Sequence, residues 1–94
     1  MKAMCDKFEN NLIKTKELHG GVQKFFKFDN MYGASVIKHK YSYGSDLGLW
    51  ELAVIKYQAN DEWDIVYDTE ITNDVIGYLT DEDVCSLLEQ IKHL

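Results

Sequence analysis

LGLWELAVIKY, residues 47–57, is the most continuously apolar run of the chain, and the remaining sequence reads as material that covers it. In an extended strand side chains alternate, so Trp50, Leu52, Val54 and Lys56 point to one side and Leu49, Glu51, Ala53, Ile55 and Tyr57 to the other. Apolar residues on both sides predict a central strand that is dry on both faces.

The neighbours of this run read as further elements. VQKFFKF (22–28) is short and aromatic, hence a strand, with Val22, Lys24, Phe26 and Phe28 on one side and Gln23, Phe25 and Lys27 on the other. Residues 29–33 hold Asp, Asn and Gly and form a turn, and 34–43 is a second strand. After the central run, 59–62 makes a polar connection into a fourth strand, in which Trp63, Ile65 and Tyr67 alternate with Asp64, Val66 and Asp68. Its acids suit a sheet edge, where they discourage pairing with another chain.

Helices are expected at both ends. Met4, Cys5, Phe8, Leu12 and Ile13 recur at helical spacing, which predicts a helix over 2–18 closed by His19, Gly20 and Gly21. Thr80 caps a second helix over 80–94, with Asp81, Glu82 and Asp83 at its positive end and Val84, Leu87, Leu88, Ile91 and Leu94 as its buried stripe. Between 69 and 79 the pattern is weak; Thr72, Asn73 or Asp74 could cap a short turn. The expected architecture is one α+β domain over 1–94, a four-stranded antiparallel meander over 22–68 flanked by an N-terminal and a C-terminal helix.

Composition narrows the function. The chain has 94 residues, no proline, and 46% hydrophobic and 28% charged residues, within the range of an ordinary globular domain. Residues 1–44 hold eight lysines against four acids, residues 45–94 two lysines against twelve acids, and the net charge is −6. All ten basic residues are lysine, and the absence of arginine removes the planar fork that reads bases and phosphates, which argues against nucleic-acid recognition. Cys5 and Cys85, the two cysteines, read as free buried thiols of a protein in a reducing cytoplasm, since no secretory or membrane-spanning run is visible.

No catalytic or metal-binding spacing emerges. Cys85 follows a run of acids that would raise a thiol's pKa, and neither cysteine stands at paired ligand spacing with His19, His39 or His93. Asp61, Glu62 and Asp64 lack the glycine and closing glutamate of a calcium loop. No catalytic residue, metal or cofactor is therefore expected. Two binding surfaces are. The first is an acidic one, Asp61, Glu62, Asp64, Asp68, Glu70 and Asp74, with Trp63, Tyr67 and Tyr78 as anchors for a basic protein partner. The alternative is a platform for single-stranded nucleic acid made by Lys38, Lys40, Tyr41 and Tyr43 with Lys24 and Lys27.

Three strings, YGASVI (32–37), LGLWELAVI (47–55) and DTEITNDVIGYLTDEDV (68–84), resemble in order and spacing segments of short uncharacterised accessory proteins of tailed bacteriophages and prophages. The resemblance spans about 29–94 and carries no functional residue with it. It implies a phage accessory protein in a bacterial cytoplasm. The expected function is thus non-enzymatic: binding of a host protein through the acidic surface, for example as an inhibitor of a nucleic-acid-handling or defence enzyme. A homodimer is compatible with the same features, and no membrane contact is expected.

Overall fold

Leu18 and Gly21 face each other across a loop of two residues, His19 and Gly20, with φ of 48° and 77°. Two successive left-handed residues make the turn whose twist matches that of a hairpin, and glycine enters that conformation freely. Residues described by the structure, a computed structural model, are 5–42, 44–71 and 74–94. The turn folds β1 (Leu12–Leu18) back on β2 (Gly21–Lys27). This corrects the helix expected over 2–18. Among the described residues of that segment only Asp6–Asn11 is helical, as a 3-10 stretch, and residues 1–4 lie outside the described ones. The apolar spacing behind the helix expectation spans two elements. Phe8 is buried from the 3-10 stretch, whereas Ile13 and the polar residues after it lie exposed on an edge strand.

The chain continues as β3 (Tyr32–Lys38), β4 (Trp50–Tyr57), β5 (Trp63–Ile65) and β6 (Ile76–Leu79), all antiparallel to their partners. The sheet runs β1-β2-β3-β4-β5, and β6 also pairs with β4, so the sheet has six strands rather than four. β5 lies along Ile55–Tyr57 and β6 is registered with Trp50 and Leu52. The strand expected over 34–43 begins earlier and stops at Lys38, because His39 enters a turn that Ser42 closes: the His39 N–H donates to Ser42 Oγ at 3.0 Å. Tyr43 and the proposed cap residues Thr72 and Asn73 lie outside the described residues.

The helix α1 (Asp81–Lys92) forms as its sequence predicts. The Thr80 hydroxyl accepts from Asp83 N at 3.1 Å while the Asp83 carboxylate accepts from Thr80 N at 3.0 Å, a reciprocal cap worth about 1 kcal/mol. Its far end is satisfied from the turn between β2 and β3, where Asn30 Nδ2 donates to the carbonyls of Ile91, Lys92 and Leu94. Val84, Leu88 and Ile91 are buried against Phe26, Ala34, Val36, Leu52 and Val54, with Phe8 and Phe28 in edge-to-face contact alongside. Burial of each such large side chain contributes about 1.5–3 kcal/mol. β4 is thus central as expected, with Leu52, Val54 and Ile55 all at or below 1% exposure.

Cys5 and Cys85 are joined in a disulfide, which corrects the expectation of free thiols. Their separation of 80 residues hid the pairing, since proximity arises only once the 3-10 stretch lies beside α1. Among the described residues, no helix is long and apolar enough to cross a membrane.

Candidate functional site

The two faces of the sheet meet different fates. The buried residues of α1 and of the 3-10 stretch all belong to the first core cluster, so both pack on one face. On the other face cross-strand register lines up Lys14, Phe25, Ser35 and Ala53 in one row and Lys27, Gly33, Ile55 and Ile65 in the next, followed by Tyr57 and Trp63. Among the described residues no helix covers these rows. Phe25, Ile55 and Tyr57 are nevertheless buried.

Curvature explains that burial. The Phe25 and Trp63 rings lie 5.4 Å apart between centroids although β2 and β5 are three strand spacings apart, about 14 Å in a flat sheet. The sheet therefore coils into a trough, beyond its ordinary twist. Small residues Gly33, Ser35 and Ala53 line its floor. At Gly33 a Cβ would overlap the Phe26 carbonyl oxygen and lie 2.8 Å from Cε2 of Tyr57, so the close approach of that ring requires glycine.

The trough holds a cleft of about 530 Å³ lined by Ile13, Lys14, Lys16, Phe25, Lys27, Tyr57, Asp61 and Trp63. Lys27 is committed within it: its Nζ donates to Asp61 Oδ1 at 2.7 Å and sits 5.2 Å from the Tyr57 ring centroid. Lys14 and Lys16 form no ion pair among the described residues. The Tyr57 hydroxyl is buried without a hydrogen-bond partner, an omission that costs about 1–3 kcal/mol. Burial, and secondarily the charge of Asp61, pushes its pKa up to about 12. Of the predicted site residues, Asp61 and Trp63 thus belong to this cleft.

The other predicted residues divide. Glu62 just before β5, Asp64 within it, and Tyr67, Asp68, Glu70 and Asp74 after it are exposed. Asp64 accepts from Gln58 Nε2 at 3.0 Å, and Asp74 Oδ1 accepts from the N–H of Val75. Tyr78 is exposed but belongs to β6, at the Trp50 end of β4, whereas Trp63 pairs with Tyr57 at the other end, roughly 20 Å away at the rise of a strand. Tyr78 therefore does not join the acidic group.

Among the described residues, the lysines of the nucleic-acid platform divide between the two faces of the sheet. Lys24 and Lys38 stack over the Trp50 indole on the helix-bearing side, at 5.7 and 4.2 Å from its centroid, while Lys27 lies in the trough. Tyr41 packs edge-to-face on His19, whose ring also contacts His39 at 5.2 Å. Sequence reasoning missed Lys14, Lys16, Phe25 and Tyr57, because a helix over 2–18 removes β1 from the sheet. The signal was the His19-Gly20 pair between two runs of strand-like residues. Compared with protein-family models, with curated proteins and with solved structures, the chain shows no match.

Proposed function

We propose that this chain is a non-enzymatic binding protein that receives a basic surface of another protein on the acidic rim formed by β5 and the segment after it. The observation that carries this reading is the exposure of Glu62, Asp64, Asp68 and Glu70 around an edge strand, interleaved with Ile65 and Tyr67 at 39% and 52% exposure. Glu62, Asp68 and Glu70 form no ion pair among the described residues. Charges of one sign steer a partner of the other, and a half-exposed aromatic supplies an anchor. The same acids disfavour a homodimer formed by pairing β5 with a second copy.

The bacterial-host setting belongs to this reading and rests on the three phage-like strings. The compartment has its own test. Disulfides persist in oxidising compartments and open in a reducing cytoplasm, so the thiol state of Cys5 and Cys85 after rapid alkylation reports where the chain works.

The binding test uses the immobilised chain to recover a partner from bacterial lysate, then compares its association rate with that of the Glu62→Lys, Asp64→Lys, Asp68→Lys variant. The expected result is association slowed about tenfold at low salt and converging with the parent as salt rises. An unchanged rate in a folded variant overturns the acidic rim.

A further inference from the structure

The trough is lined by residues other than the exposed acids Glu62, Asp64, Asp68 and Glu70 of the β5 rim. Its walls combine an aromatic corner with two lysines that form no ion pair among the described residues. Phe25 and Trp63 form an aromatic corner, their planes inclined at 49°, with Trp63 still 39% exposed. Beside that corner Lys14 and Lys16, both exposed on the inner side of β1, stand opposite Phe25 and Gln23 with no carboxylate paired to either among the described residues. Asp61, the acid that lines the cleft, is taken by Lys27.

Tyr57 adds an independent observation. It is 4% exposed, lines the same cleft, and its hydroxyl finds no hydrogen-bond partner. Buried polar groups are normally satisfied, so this hydroxyl is an exception within the floor of the trough.

We propose that the trough binds a small ligand that joins a planar aromatic ring to an anionic group. The ring packs on Trp63 beside Phe25, and the anion sits between Lys14 and Lys16. Lysine ammonium groups act as point charges and accept phosphate or carboxylate alike. The shared chemistry is thus an aromatic anion, and a nucleoside monophosphate and an aromatic carboxylate are its two sources.

The test is an NMR titration of the isotope-labelled full chain with adenosine monophosphate and, separately, naphthalene-2-carboxylate. Adenosine and inorganic phosphate serve as probes that lack the anion or the ring. The expected result is saturable movement of the Trp63 indole signal and of the Phe25 and Tyr57 amides with at least one ring-plus-anion probe, and binding about tenfold weaker with either half alone. Response to the nucleotide alone assigns phosphate, response to the naphthoate alone assigns carboxylate, and response to both assigns the shared chemistry. The double variant Lys14→Glu, Lys16→Glu alters only exposed side chains and should weaken binding by about tenfold or more while the dispersion of the spectrum is kept. Absence of saturable shifts with both probes at millimolar concentration overturns the proposal. So does unchanged affinity in the folded double variant.

Discussion

The indole N–H of Trp50 donates a 2.7 Å hydrogen bond to Oδ1 of Asp81, joining the start of β4 to the first turn of α1. A hydrogen bond to a charged acceptor contributes more than a neutral one, and Asp81 also opposes the positive end of the helix. Asp81→Ala should lower unfolding free energy by about 1–2 kcal/mol in urea denaturation. In a Trp50→Phe background the same change should cost less, since the shared bond is already gone. Equal costs in both backgrounds would show the bond to be incidental.

The Cys5–Cys85 disulfide closes a loop of 80 residues. On the chain-entropy account such a loop stabilises by roughly 4 kcal/mol, acting mainly on the unfolded ensemble. Reduction, or Cys5→Ala with Cys85→Ala, should lower the denaturation midpoint by a corresponding amount while leaving far-ultraviolet circular dichroism of the native state intact. A midpoint that ignores reductant contradicts the pairing.

Tyr57 gives an alkaline prediction with a definite sign. Its folded pKa is raised from the ordinary 10.0 to about 12, so the fold favours the neutral phenol. The stabilisation associated with this group is whole below pH 10 and is lost as pH rises through about 12. Phenolate absorbance should show one of the six tyrosines titrating last, and Tyr57→Phe should remove that final step. Because Tyr57→Phe also deletes an unpaired hydroxyl, it should leave neutral-pH stability unchanged or improved. A clear loss of stability in that variant would mean that the hydroxyl has a partner in the free protein.

Gly33→Ala should destabilise by about 1–3 kcal/mol, because the added methyl meets the Phe26 carbonyl as well as the flexible edge of Tyr57. Thermal melts read this directly. A neutral substitution would mean that β2 and β3 separate more easily than the trough geometry allows.

Much of this fold is visible in the residues. Within residues 47–57, Leu52, Ala53, Val54 and Ile55 place apolar side chains on both sides of an extended chain, and the central strand forms over Trp50–Tyr57, while Thr80 with Asp83 marks the start of α1. The N-terminal third was misread for a physical reason. Met4, Cys5, Phe8, Leu12 and Ile13 satisfy a helical period, but the hairpin turn at His19-Gly20 and the pairing of Lys14 with Phe25 outweigh that local preference. The exposure of Glu62, Asp64, Asp68 and Glu70 follows from their charge and close spacing, whereas the commitment of Asp61 to Lys27 has no local signal. The trough was not legible, because it joins β1, β2, β4 and β5 through curvature, and no local pattern encodes how far a sheet coils.

One asymmetry organises the molecule: α1 and the 3-10 stretch of residues 6–11 close one face of the sheet, and the other face curves into a trough. The two tryptophans sample those faces separately, Trp50 at 7% exposure and Trp63 at 39%. Acrylamide quenching of fluorescence in Trp63→Phe and Trp50→Phe reads them one at a time. The chain that retains Trp50 should emit at shorter wavelength and resist the quencher, and the chain that retains Trp63 should be quenched several times more steeply. Equal quenching of the two would contradict the closed and open faces, and with them the cleft.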